Sequence, residues 1–495
     1  MNKPDKLNVC MVTAELAPLA KTGGLADVSS ALAAYLDGRG HDVRVLMPRY
    51  SSMDMSACDV QPVDFLQNLE TQFGGHRFHY SIDTAVLPRT KLRIYLLRCP
   101  ALYDREGIYS SGGDEHLRFI FLSRVSIEMC QRMGFAPDIF NVHDWHAAMI
   151  PLLLKSVYRW DTLFANTASV LTIHNIGYQG VFGADQRGDL GLGDYEYMLH
   201  QHDLDAGRVN ILKHGAMYAD AISTVSPTYA HQILGDEFGM GLQDILRDRR
   251  GRLVGILNGV DYDEWSPEKD ELIDHHFSAT DLAGKRENKR QLLTEMGMEV
   301  DLERPLMGMV CRMTVQKGID IMRPVMHDLL ARRNVALVVL GNGEHRYERF
   351  FESLQHDFPG RVCFYRGYNN KLAHLIEAGS DMFLMPSLYE PCGLNQMYSL
   401  RYGTIPIVRE TGGLADSVSL FHPGTGSGTG VVFRDYDASG FAWAVHVALD
   451  LYAHKRAWSR LMQNAMAQNF SWERQGALYE ELFRRLLIQV RGERQ

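Results

Sequence analysis

Residues 7–36 read LNVCMVTAELAPLAKTGGLADVSSALAAYL. Leu7–Thr13 is a short, largely apolar run without alternation, which predicts a strand buried on both faces. Leu25–Leu36 has the length and spacing of a helix. Between them, Lys21-Thr22-Gly23-Gly24 supplies turn glycines where strand gives way to helix. A strand followed by a helix in this way is the building unit of a parallel α/β sheet.

The unit recurs along the chain. Val43–Met47, Leu92–Leu97, Ile139–Val142, Val170–Ile173 and Ile222–Val225 read as further strands, with helical stretches such as His116–Met133 between them. Gly255–Pro267 (GILNGVDYDEWSP) is turn-rich, and Glu268–Asp301 is charged and poor in strand formers, so the series breaks there. A second series follows at Met307–Cys311, Ala336–Leu340, Val362–Tyr365, Met382–Met385, Ile405–Val408 and Val431–Phe433. Helices at Leu372–Ala378 and Leu394–Tyr402 fall between these strands. The fold class is therefore α/β, with two Rossmann-like, doubly wound parallel-sheet domains. Residues 1–262 are expected to form the first and 263–475 the second. Residues 476–495 are expected to form a C-terminal helix able to pack on either. Open α/β sheets bind ligands beyond the C-terminal ends of their strands, so the informative residues are those that follow each strand.

Composition narrows the function classes. The chain has 495 residues, is 46% hydrophobic and 22% charged, and so has the make-up of a soluble globular protein with a large core. A net charge of −9 argues against a nucleic-acid coat or a binder of anionic membranes. No apolar run approaches the roughly 20 residues that span a bilayer. The start, MNKPDKLNV, lacks the apolar region of a signal peptide. Seven cysteines without a CxxC pair argue against a disulfide framework or a structural zinc site. A cytoplasmic protein with neither nucleic-acid nor membrane partners is expected.

The polar clusters fall at strand ends. Lys21-Thr22-Gly23-Gly24 could meet a diphosphate with helix N-terminal N–H groups and an ammonium, or be a tight turn with a solvated lysine. TGGLAD occurs twice, at Thr22–Asp27 and Thr411–Asp416, each time at a strand-to-helix transition. Asn141–His146 (NVHDWH) offers a carboxylate, imidazoles and an indole suited to sugar hydroxyls and stacking; Asp144 equally suits a helix N-cap. Thr172-Ile173-His174-Asn175 ends the next strand. Arg312 and Lys317 flank the end of Met307–Cys311, a pair suited to negative charge on a departing diphosphate or to a solvated helix start. Tyr389–Leu394 (YEPCGL) places Glu390 where it could accept from a sugar hydroxyl, ahead of the N–H groups of Cys392, Gly393 and Leu394. Tyr368 is placed either to stack on a base or to pack in a loop. Gly341-Asn342-Gly343 begins a dinucleotide fingerprint, but Arg346 takes its third glycine position. His143 and His146 lack a third ligand at convincing spacing, so no metal is expected.

Together these motifs carry a resemblance. KTGGLADV (Lys21–Val28), NVHDWH, TIHNIGYQG (Thr172–Gly180), STVSPTYA (Ser223–Ala230), GILNGVD (Gly255–Asp261), QKG (Gln316–Gly318) and EPCGLNQMYSLRYGTIPIVRETGGLADSV (Glu390–Val418) resemble the bacterial glycogen/starch synthases, glycosyltransferase family 5, in family order. The resemblance implies a GT-B fold with its active site in a cleft between two Rossmann-like lobes. It implies retaining transfer of glucose from ADP-glucose to the non-reducing end of an α-1,4-glucan (glycogen or a maltooligosaccharide primer), without metal or redox cofactor. Carried over, Lys21 and Gly24 belong to the phosphate-facing loop, and Arg312 and Lys317 stabilise the ADP leaving group. Glu390 lies beside the donor glucose, Cys392–Leu394 form the adjacent turn, and Tyr368 stacks on adenine. Asp144, His174 and Asn258 match the sugar side.

Two positions depart from the family pattern. Asn395 replaces a frequent Thr after EPCGL and bears on donor preference. The family's Asp-Asn before Arg-Phe is replaced around Asp114–Phe119 after a short segment following Tyr109, which bears on the acceptor. A transferase using UDP-glucose or a small acceptor is the alternative enzyme. A catalytically dead glucan-binding protein predicts loss of Arg312, Lys317 or Glu390, all of which are present. No motif supports the cofactor of a pyridoxal-phosphate phosphorylase.

Overall fold

In the computed structural model, which describes residues 6–110 and 112–493, each of the apolar runs above forms a strand. The chain divides into two units: Met1–Val225 with Ala230–Gly259 and Trp472–Gln495, and Ser226–Tyr229 with Val260–Ser471.

Strands of the first unit, in chain order, are β1 (Asn8–Val12), β2 (Asp42–Pro48), β3 (Gln61–Pro62), β4 (Leu69–Phe73), β5 (His76–Val86), β6 (Arg93–Arg98), β7 (Ile139–His143), β8 (Ala168–Ile173), β9 (Val181–Gly183), β10 (Arg208–Asn210), β11 (Ala221–Thr224) and β12 (Leu253–Gly255). The main sheet runs β12-β11-β8-β7-β1-β2-β6-β5-β3, with β4 also on β5. From β12 to β6 every pairing is parallel; β5 runs antiparallel to β6, β3 and β4. Helices cover the parallel strands, so β7 and β8 are buried along their whole length. The antiparallel β3–β5 extension was not expected from the sequence.

The second unit has β13 (Leu306–Val310), β14 (Ala336–Gly341), β15 (Val362–Arg366), β16 (Met382–Met385), β17 (Ile405–Arg409) and β18 (Val431–Phe433). They form one parallel sheet in the order β15-β14-β13-β16-β17-β18. This is the strand order of dinucleotide-binding sheets, which reverses between the first and fourth strands.

The C-terminal helix begins at Trp472, ahead of the expected Gly476, and belongs to the first unit. Gly476 lies inside it, where a Cβ would come within 2.4 Å of the Tyr35 ring, so glycine permits the close contact. The helix Gly24–Gly38, which carries Tyr35, thus packs closely against it. The division falls at Gly259, and Ser226–Tyr229 groups with the second unit. There Thr228 donates from its N–H and hydroxyl to the Asp416 carboxylate, at 2.8 and 2.7 Å. The glycine-rich segment 424–430 is closed by His422 N–H to Ser427 O (2.8 Å) and Phe421 N–H to Gly430 O (2.9 Å). Among the described residues no helix is long and apolar enough to cross a membrane.

Candidate active site

In each unit most of the candidate residues follow the strands at which the strand order reverses, and Asn258 and Tyr368 do not. In the first unit that point lies between β1 and β7. The chain leaving β1 passes through Glu15 and Lys21 before the helix Gly24–Gly38, and the chain leaving β7 enters Asp144 directly.

The loop after β1 is organised by Glu15, a residue not singled out in the sequence. Its buried carboxylate accepts from Thr22 N–H (2.6 Å), Thr22 Oγ1 (2.6 Å), Gly23 N–H (3.3 Å) and Tyr109 Oη (2.5 Å). The helix N-terminus therefore already holds an anion at Thr22 and Gly23, and those N–H groups are not free for phosphate as expected. An acidic residue directly after the first strand was the available signal. Lys21 is partly exposed and pairs with Asp27 at 2.7 Å. Burial raises the Asp27 carboxyl, and Lys21 opposes that rise.

Asp144 is buried and adopts φ +51°, a left-handed conformation unusual for a non-glycine residue. It is no simple N-cap: its Oδ1 accepts the backbone N–H of His174 at 2.7 Å and of Asn175 at 3.4 Å, tying the loop after β8 to the end of β7. Burial pushes its pKa up to about 7, against the pull of those two N–H groups and with added repulsion from Glu15. His174 and His146 are pushed down to about 3, chiefly by burial, and are neutral. Beside them, two grooves of about 500 and 370 Å³ share Trp145, Gly180 and Val181. Tyr178 is exposed in one, and in the other His116 stacks on Phe182 with centroids 4.2 Å apart. Gly180 has φ +62°, and a Cβ there would meet the Trp145 ring at 2.2 Å, so only glycine lets the loop seat on the indole.

The divergent segment is tied by arginines. Asp114 takes both arms of Arg105 (2.8 and 2.6 Å), and Glu115 binds the fully buried Arg118 at 2.8 Å. Ser111 lies outside the described residues. Asn258 follows the edge strand β12, away from β1 and β7 in the sheet order; it is buried, and its Oδ1 has no hydrogen-bond partner among the described residues.

In the second unit the reversal lies between β13 and β16. The residues after β13 include Arg312 and Lys317, and those after β16 include Glu390 and the Cys392–Asn395 turn. Lys317 Nζ donates to Glu390 Oε2 at 2.6 Å, and Ser387 Oγ donates to the same oxygen at 3.0 Å. Arg312 is exposed and forms no ion pair among the described residues, so its guanidinium is available. Asn395 Nδ2 donates to the Val310 carbonyl at 2.9 Å, fastening the turn to the end of β13. The second TGGLAD does not present free N–H groups. Gly413 N–H donates to Glu390 O at 3.1 Å, and a Cβ on Gly412 would collide with that carbonyl at 1.9 Å. Its glycines therefore allow close approach to the Glu390 turn. Tyr368 follows the edge strand β15, is exposed, and donates to Asn370 Oδ1 at 2.7 Å. The described residues contain no cluster of His, Cys, Asp or Glu able to hold a metal.

The comparisons agree with this plan. Residues 8–248 match the family described as starch synthase catalytic domain, and residues 298–464 match glycosyl transferases group 1. A glycogen synthase of Geobacter sulfurreducens is 43% identical over 97% of each chain. That of Thermotoga maritima is 40% identical over 98% of this chain and all of its own. The catalytic domain of starch synthase IV from Arabidopsis thaliana, bound to ADP and acarbose, superposes with a TM-score of 0.89 at 33% identity, over 98% of this chain and all of that one. Both sheets thus have the GT-B arrangement, and the chain belongs to the glycogen and starch synthase family of glycosyltransferases.

Proposed function

We propose that this chain is a hexosyltransferase moving glucose from ADP-glucose to the non-reducing end of an α-1,4-glucan, with retention and release of ADP. The observation that supports it most is Lys317 paired to Glu390, with the exposed Arg312 on the same loop as Lys317, at the strand-order reversal of a doubly wound sheet. Breaking a glycosyl–phosphate bond builds positive charge on the sugar and negative charge on ADP. Fixed cations at Arg312 and Lys317 favour that separated state more than the ground state. Glu390, held by Lys317 and Ser387, is preset to accept from a sugar hydroxyl. The relative with ADP and acarbose supports an adenine nucleotide as leaving group and a glucan-like acceptor.

In this reading Lys21, Gly24 and the turn Cys392, Gly393, Leu394 and Asn395 serve the diphosphate, Tyr368 stacks on the base, and Asp144, His174 and Asn258 serve sugars. The grooves beside Trp145 take the acceptor glucan. No metal or cofactor takes part. Attack comes from the same face as the departing phosphate, which accepts the acceptor's proton; a glycosyl-enzyme trapped on Asp144 or Glu390 would overturn this step. Initial rates of glucose transfer to glycogen from ADP-glucose and UDP-glucose, side by side, test the donor. The reading expects a strong preference for ADP-glucose, and preference for UDP-glucose would contradict it.

A further inference from the structure

Asn141 and His143 lie two residues apart on β7, and their side chains form a chain of hydrogen bonds that ends at His174. Asn141 Nδ2 donates to the Val170 carbonyl (3.4 Å) and to Thr172 Oγ1 (2.9 Å) on the neighbouring β8. A carbonyl can only accept, so this contact fixes which way the amide faces. Asn141 Oδ1 is then an acceptor, and its partner His143 Nε2, 3.1 Å away, carries the proton. His143 is wholly buried, and burial together with His174 holds its pKa well below the ordinary value. It is therefore neutral, and its Nδ1 is a bare lone pair. That Nδ1 lies 2.8 Å from His174 Nε2, so His174 must donate from Nε2. A neutral His174 then has no proton on its own Nδ1.

We infer that Asn141 and His143 are positioning residues that lock His174 in its Nε2–H form, so that its Nδ1 acts as a hydrogen-bond acceptor for one hydroxyl of the donor sugar. The inference rests on the proposed function's reading that His174 serves a sugar, and it takes that sugar to be the donor's. An imidazole that can only accept at Nδ1 selects a hydroxyl there over a group that cannot donate. Asn141→Asp reverses the chain. A carboxylate facing His143 Nε2–H favours the imidazolium, which donates from Nδ1 to His174 Nε2 and moves the His174 proton to Nδ1.

Two measurements on the full chain test this. In the ¹⁵N-histidine-labelled wild type, with His174 identified by its loss in His174→Asn, Nε2 is expected in the protonated range and Nδ1 in the bare range near neutral pH. A protonated Nδ1 on His174 overturns the inference. This spectrum needs no substrate and is independent of donor identity. The second measurement uses ADP-glucose analogues in which each hydroxyl is replaced in turn by fluorine. Wild type should lose at least tenfold in kcat/KM at one position beyond its losses at the others. Asn141→Asp should shrink that excess several-fold while slowing the natural donor. Equal penalties in both proteins at every position overturn the inference. The expected tautomer without any position-specific penalty in wild type overturns the assignment of His174 to the sugar instead. If Asn141→Asp does not fold, the wild-type spectrum and wild-type analogue series decide.

Discussion

Lys317 Nζ sits 2.6 Å from Glu390 Oε2, so a single ion pair joins the loop after β13 to the loop after β16 at the strand-order reversal of the second unit. Both side chains are largely buried, so the pair holds the loops together, and in the proposed function it also supplies charge to the reaction.

Those jobs part in a double variant. Lys317→Ala should lower kcat about 100- to 1,000-fold, the ~2.7–4 kcal/mol typical of removing one preorganised charge-stabilising donor. It should also destabilise the second unit, because the buried Glu390 side chain is left with Ser387 as its side-chain partner among the described residues. Adding Glu390→Gln should recover much of that stability and none of the rate. Urea unfolding and initial rates on the three variants check both parts.

Glu15 should act mainly through structure and Lys21 mainly through binding. Glu15→Ala leaves Thr22, Gly23 and Tyr109 without their shared acceptor and should cost about 1–3 kcal/mol in urea unfolding. Lys21→Ala removes a half-exposed pair worth at most ~1 kcal/mol, so stability should barely change while the KM for the sugar nucleotide rises.

Acid should unfold the first unit early. His146 and His174 titrate near 3 when folded and near the ordinary histidine value when unfolded, and His143 is lowered in the same sense. Below about 6.5 the unfolded chain binds the extra protons, so stability is lost as pH falls from there towards 3, by up to ~1.4 kcal/mol per pH unit per histidine. Asp144 works in the opposite sense. With its folded pKa raised to about 7, it binds more protons folded than unfolded, and its share of stability is lost as pH rises from about 4 to 7. Unfolding of wild type and Asp144→Asn between pH 4 and 8 should show the variant gaining relative stability as pH rises through that window.

Gly318→Ala should be more damaging than an ordinary glycine change. Gly318 has φ +72°, and a Cβ there would fall 1.8 Å from the Pro386 carbonyl, ahead of Glu390. Left-handed strain of ~1–2 kcal/mol and the collision act together, so loss of stability above ~2 kcal/mol and a fall in kcat are expected. Thermal unfolding and initial rates measure both.

What could be read from the sequence follows from burial. The inner parallel strands are buried along most of their length, so they appear as largely apolar runs, and β7, β8 and β13–β17 stand where expected. β5 was missed because it carries Ser81, Asp83 and Thr84 among its apolar residues, Asp83 being held by Arg49 at 2.9 Å. Arg312, Lys317 and Glu390 were legible as charged residues soon after strands, and the pairing of Lys317 with Glu390 came only with the structure. Glu15 left only the signal of an acidic residue soon after the first strand, because the backbone N–H groups it satisfies leave no mark in the sequence. The Asn141–His143–His174 chain was hidden for a related reason: its direction depends on the Val170 carbonyl, on a strand 29 residues away.

The central claim is elongation of an α-1,4-glucan by glucose from ADP-glucose, and mass spectrometry of a maltooligosaccharide incubated with purified protein and ADP-glucose tests it most directly. The account predicts a ladder of products lengthened by single hexose units, with one ADP released per unit added, and no ladder with Lys317→Ala on the same timescale. Release of ADP without lengthening, or an unchanged ladder in Lys317→Ala, would contradict it.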